Sequence, residues 1–173
     1  SNTVQYRELL QKYFDHPSYK TYVDLGCGDW QIMKLINIPD DKVYYGYDIV
    51  KSVIDENQKK FDKNNVHFVH STKIDYIKSA DLLIVKDVLM HWPNDKIRYF
   101  IKNILPRCKQ ALITEGYDEE RLNKDIIYGQ WSPVDLRKPP FNIDNIEIIL
   151  EYSNSGGKKL VYLYTNPDLK EIK

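Results

Sequence analysis

Val23-Asp24-Leu25-Gly26-Cys27-Gly28-Asp29-Trp30 is the stretch on which the fold turns. Thr21 to Leu25 reads as a short strand, because apolar and β-branched residues run up to a pair of glycines that ends it. The glycines let the backbone turn sharply and bring its amides close to a ligand, and Asp24 offers a carboxylate to a cationic amine. Residues 31 to 38 carry helical spacing before the break at Pro39-Asp40-Asp41, so the expectation is a strand, a tight turn and a helix.

Outward from this unit the same rhythm repeats. Val43 to Asp48 is a second strand, and Ser52-Val53-Ile54-Asp55 approximates a capping pattern for a helix running to about Phe61. Val66 to His70 makes a third strand. Asp81 to Lys86 is almost continuously apolar, as strands buried on both faces are. Pro93-Asn94-Asp95 opens a helix whose Ile97, Phe100, Ile101, Ile104 and Leu105 share one stripe, halted near Pro106, and Ala111 to Glu115 is the fifth strand. Upstream, Tyr6, Leu9, Leu10, Tyr13 and Phe14 form an amphipathic helix after Thr3. Downstream, residues 116 to 145 lose periodicity and contain three prolines, which predicts a long functional loop. Ile146 to Tyr152 and Leu160 to Tyr164 then flank a glycine turn as a strand pair. The expected fold class is α/β: a doubly wound, mostly parallel sheet covered by helices on each side, with a C-terminal antiparallel hairpin and an antiparallel strand at one edge. Ligands of such sheets bind beyond the carboxyl ends of the strands, where strand order reverses. That directs attention to residues 24 to 30, Asp48, residues 70 to 72, residues 86 to 92 and Glu115.

The 173 residues fit one domain with one core. Hydrophobic residues make up 42% and charged residues 29%, neither a disordered nor a membrane composition. No apolar run is long enough to span a bilayer, and the first residues are polar, without the basic region and apolar stretch of a signal peptide. Lys plus Arg and Asp plus Glu both number 25, so the positive excess that non-specific nucleic-acid binding draws on is missing and nucleic acid is disfavoured. Cys27 and Cys108 are too few and too far apart for a disulfide framework or a paired metal site. They predict free thiols in a reducing compartment and a cytoplasmic protein. Ser1-Asn2 has the look of a cleavage scar, which suggests a single domain over 1–173 cut from a longer protein.

The pairing of Asp24-Leu25-Gly26-Cys27-Gly28 with Asp48, the latter ending the next strand, resembles the class I S-adenosylmethionine-dependent methyltransferases over roughly Tyr22 to Thr165. The resemblance implies a Rossmann-like fold and S-adenosylmethionine as cofactor; nothing in the sequence requires a metal. It places the methionine part against Asp24, Gly26, Cys27 and Gly28 and the ribose on Asp48, beside Ile49. Asp87-Val88-Leu89-Met90-His91-Trp92 is similar to the family's fourth motif, at the rim of the methyl-transfer site. A dinucleotide fingerprint would need a glycine where Gln31 stands. This chain also departs from the methyltransferase pattern. Trp30 occupies the place of a frequent third glycine, so its indole either thickens the cofactor edge or packs on the methionine portion. His70-Ser71 replaces a Gly-Asp that reads adenine, leaving Ser71 or a backbone group to substitute.

The candidate catalytic residues are His91, which could take a proton from the acceptor, and Asp87, which could orient the imidazole; capping or packing roles are the alternative for both. Glu115 and His70 rank below them as bases. Tyr117, Tyr128 and Trp131 are candidates to line an acceptor pocket, or simply to pack. Arg137 and Asp135, in a segment stiffened by prolines, either grip a polar substrate or pin the loop by a salt bridge, and the residues leave both open. The Asp135 to Phe141 segment looks like one found in short methyltransferase domains attached to glycan-modifying enzymes. The expected function is therefore methyl transfer to a small-molecule acceptor, a hydroxyl of a sugar or glycan precursor such as a nucleotide sugar. The alternative is a cofactor-binding or degenerate interaction module within a larger protein.

Overall fold

The computed structural model describes residues 3–168; Ser1 and Asn2, and with them the suggested cleavage scar, lie outside the described residues. Seven strands form one sheet: β1 Thr21–Leu25, β2 Val43–Asp48, β3 Val66–His70, β4 Ala80–Lys86, β5 Cys108–Gly116, β6 Ile146–Asn154 and β7 Gly157–Thr165. Their spatial order is β3-β2-β1-β4-β5-β7-β6. The first five strands are parallel, β7 pairs antiparallel with β5, and β6 pairs antiparallel with β7. The antiparallel strand is thus inserted, not placed at the edge as expected. β6 takes the edge because its hairpin partner β7 has already claimed β5.

Strand order grows one way from β1 to β3 and the other way from β4 to β5, so the switch point lies between the carboxyl ends of β1 and β4. Asp24 is paired with Ile84 and Leu25 with Val85 across that seam. Because side chains alternate along a strand, the two faces of the sheet carry separate cores. One face packs Tyr22, Tyr44, Leu82 and Ile84 under α1 (Val4–Asp15) and α2 (Lys51–Phe61), through Tyr6, Leu10, Phe14 and Ile54. The other packs Val23, Leu83, Val85 and Ile113 under α3 (Asn94–Asn103), through Ile97 and Phe100. Val134 and Leu136 of the long loop join this second core, which anchors a segment without helix or strand.

Two local expectations are corrected. The helix expected over residues 31 to 38 shrinks to a single 3-10 turn at Met33–Leu35. Trp30 sits in the left-handed region at φ 61°, Ile36 is already extended, and Pro39 follows, so too few residues remain to nucleate a longer helix. The apolar spacing there reflects Met33, Ile36 and Ile38 filling the α1 core. Ser52 does not cap α2, whose N-cap position is Val50. Asp48 supplies the local turn instead, its Oδ1 accepting the Val50 N–H at 2.9 Å. Among the described residues no helix is long and apolar enough to cross a membrane.

Candidate active site

The turn after β1 is built around the two glycines. Gly26 adopts φ 79° and donates its N–H to the Tyr47 carbonyl at 2.8 Å. A Cβ there would come within 2.5 Å of Val88 Cγ2, so only glycine fits between β1 and the segment after β4. Gly28, also left-handed at φ 54°, donates its N–H to Asp48 Oδ2 at 3.0 Å, and its carbonyl accepts from Asn57 Nδ2 at 2.7 Å. Each oxygen of Asp48 thus takes one backbone N–H, which holds the carboxylate still while leaving a second acceptor position on each oxygen.

Two cavities adjoin this turn and a third lies beyond the segment after β4. The first, about 370 Å³, lies on the α3 side and is lined by Leu25, Tyr47, Asp48, Ile49, Ser71 and Ile74 among others. Ile49 is 69% exposed there, an apolar side chain kept at the cavity rather than in a core. Ser71 donates its hydroxyl to the Lys73 carbonyl at 2.8 Å, which shapes the adjoining backbone. The second cavity, about 220 Å³, lies on the α1 side, lined by Tyr6, Asp24, Cys27, Trp30, Lys86 and Asp87 among others. Gly26 belongs to both, so a ligand crossing it passes from one face of the sheet to the other. The third, about 700 Å³, includes Asp87, His91, Tyr117, Trp131 and Lys159 in its wall. Asp87 is shared with the second cavity and His91 with the first, so all three converge at the segment after β4.

Electrostatics differ between the acids. Asp24 is buried and accepts the Tyr44 hydroxyl at 2.6 Å; burial lifts its carboxyl to about 6 against that hydrogen bond. Burial likewise pushes the Cys27 thiol well up, which makes it a wall rather than a nucleophile. Trp30 is buried against Phe61, Phe68 and Tyr44 at centroid distances of 4.9, 5.2 and 5.8 Å. Its left-handed backbone turns the indole down into the aromatic core, so it borders the cavity without filling it.

Asp87 is left-handed at φ 56° and is gripped by two lysines: Lys86 on Oδ2, and Lys159 on Oδ1 at 2.5 Å. Burial would raise its carboxyl, but the two ammonium groups hold it below the usual range. It therefore serves Lys86 and Lys159 through both oxygens, not His91 as the sequence suggested. The residue that positions the His91 turn is Glu115. Its fully buried carboxyl accepts the N–H groups of Leu89 at 3.0 Å and Met90 at 3.2 Å. His91 itself is exposed at the end of that 3-10 turn. His70 stands apart, its Nε2 on the Ile49 carbonyl at 3.1 Å.

Burial, reinforced by the charge of Asp87, raises Glu115 from its ordinary 4.5 to about 8. Between those values the folded chain keeps a proton that the unfolded chain releases, so Glu115 contributes stability that is complete below pH 4.5 and is lost as pH rises through about 8. Glu115→Gln, which cannot ionise, is expected to flatten the fall of melting temperature across that window. It should also cost about 1 kcal/mol or more overall, because one backbone N–H loses its acceptor. Thermal melts from pH 5 to about 8.5 check this; equal slopes in the two proteins would contradict it.

The long loop is stitched by its own side chains. Asn123 Nδ2 donates to the carbonyls of Asp135 at 2.9 Å and Pro139 at 2.8 Å, and Ser132 donates its N–H to the Met90 carbonyl at 2.9 Å. Tyr128 reaches the first cavity, and Tyr117 and half-exposed Trp131 the third. Arg137 is placed elsewhere. It forms a fork on Asp135, whose side chain is wholly buried, at 3.0 and 2.7 Å, and lines none of the three cavities. The Asp135–Arg137 pair pins the loop. The sequence directs attention to Lys86 and Glu115 without giving either its role, and it misses Lys159, because nothing in it marks a lysine that reaches across the sheet.

No protein-family model and no curated protein matches the chain. Solved structures do. The methyltransferase domain of bacterial CtHen1 is 14% identical with a TM-score of 0.65, over 93% of this chain and 97% of that one. Magnesium protoporphyrin IX methyltransferase from Synechocystis PCC 6803, solved with S-adenosylhomocysteine, is 15% identical with a TM-score of 0.64, over 93% of this chain and 82% of that one. The N-methyltransferase NodS from Bradyrhizobium japonicum WM9, in complex with S-adenosyl-L-homocysteine, is 13% identical with a TM-score of 0.65, over 97% of this chain and 100% of that one. The likeness is one of fold: the chain has the Rossmann-like class I methyltransferase fold.

Proposed function

We propose that this chain is an S-adenosylmethionine-dependent methyltransferase whose acceptor is a small molecule, and that the methylated group is a hydroxyl of a sugar or glycan precursor. The observation that carries the cofactor reading is the pair of cavities on opposite faces of the sheet, joined at Gly26. One has the chemistry for a nucleoside: the fixed Asp48 carboxylate for the ribose hydroxyls, and Ile49 with the backbone of 71–73 for a flat base. The other has the chemistry for an amino-acid end, with buried Asp24 to meet an ammonium group. When bound, the cofactor supplies an electrophilic methyl group. The chain's own residues align the acceptor, exclude water and take up a proton. His91 would accept that proton, a role supported by its lining both the nucleoside cavity and the third cavity, while Glu115 holds its turn.

The third cavity supports the acceptor class. Tyr117 and Trp131 offer aromatic faces, and Asp118, His91 and Lys158 offer polar groups beside them, a combination suited to a polyhydroxylated ring. A methyl-donor assay against nucleotide sugars, free sugars, small amines and RNA tests this reading. Transfer to a sugar hydroxyl is expected. Transfer to amines alone would overturn the hydroxyl assignment, and transfer to RNA alone would contradict the charge argument. Cofactor binding with no transfer to any acceptor would assign the chain as a cofactor-binding module.

A further inference from the structure

Lys86, the last residue of β4, is the one cationic side chain among the described residues that line the α1-side cavity. The cavity's other charged side chains are Asp24, Asp29 and Asp87, so its field favours a cation and repels an anion. An α-amino acid end carries both charges. Its ammonium group has three carboxylates to choose from, but its carboxylate has a single complementary partner. We propose that Lys86 binds the carboxylate of the cofactor's amino-acid end; this rests on the cofactor reading above and adds a residue that the motifs do not supply.

The contacts of Lys86 suit that role. Its Nζ meets Asp87 Oδ2, and an ammonium group has three donors, so it can keep that partner and still donate to a ligand oxygen. Asp87 does not depend on Lys86 alone, because Lys159 holds Oδ1 at 2.5 Å with only 9% of its own side chain exposed. Lys86 can therefore shift toward a ligand without leaving the Asp87 carboxylate unpaired. Its side chain is 23% exposed, at the cavity wall and not sealed in the core. Lys159 is the fixed member of the trio and Lys86 the adaptable one.

The test is titration calorimetry of the full chain with S-adenosylhomocysteine and with its decarboxylated analogue, which keeps the ammonium group. Wild type is expected to bind S-adenosylhomocysteine about tenfold or more tightly than the analogue, a comparison that needs no variant. Lys86→Met should abolish most of that preference, weakening S-adenosylhomocysteine about tenfold while the analogue binds as before or more tightly, since a repelling cation has gone. Lys86→Arg should keep most of it. Equal affinities of the wild type for the two ligands, or an equal loss of both in Lys86→Met with an unchanged melting temperature, would overturn the assignment while leaving the cofactor reading intact. Wild type that binds neither ligand would overturn the cofactor reading, and this assignment with it.

Discussion

His91→Ala is expected to lower turnover of a hydroxyl acceptor by about 10² to 10⁴, with cofactor affinity nearly unchanged. A sugar hydroxyl is too weak an acid to attack unaided, so a positioned base contributes directly to the rate, whereas a neutral amine needs none. The structure adds the reason to choose His91 among the nearby groups. Asp87 has both oxygens committed to lysines, Glu115 is buried under two backbone donors, and His70 rests on the Ile49 carbonyl. His91 alone of these is exposed where the nucleoside and third cavities meet. Steady-state kinetics at saturating cofactor, paired with calorimetry, separate the outcomes. A variant that keeps its turnover but binds cofactor poorly would make His91 part of the cofactor shell.

Asp48→Ala is expected to weaken S-adenosylhomocysteine binding by about tenfold or more, because two ribose hydroxyls lose their acceptor and each hydrogen bond to a charged group contributes about 1.5 to 3 kcal/mol. Part of the loss is organisational. Oδ2 holds the Gly28 N–H and Oδ1 the Val50 N–H, so removing the carboxylate also loosens the turn and the start of α2. Asp48→Asn keeps one oxygen acceptor and should fall between wild type and alanine. Unchanged affinity in the alanine variant, with its melting temperature preserved, would show that Asp48 is only a turn residue.

What could be read from the sequence, and what could not, follows from the range of the interactions. β4 announces itself because Leu82 to Val85 are buried on both faces, and every strand was placed to within a few residues for similar reasons. The β1 turn was legible because Gly26 and Gly28 are needed for positive φ, a local requirement. The helix expected over 31 to 38 failed because its apolar spacing served packing under α1, which only the folded chain reveals. Arg137 and Asp135 are two residues apart, so their fork is local, yet nothing in the sequence says that it closes on itself instead of on a ligand. Glu115 reaches back 26 residues to Leu89 and Lys159 reaches back 72 to Asp87, and contacts of that range leave no spacing pattern behind.

The central claim is that the two cavities meeting at Gly26 hold one molecule of an S-adenosyl amino acid. Calorimetric titration of the full chain with S-adenosylhomocysteine tests it most directly. The account predicts saturable binding of one molecule per chain, and no binding of either S-adenosylhomocysteine or S-adenosylmethionine would contradict it.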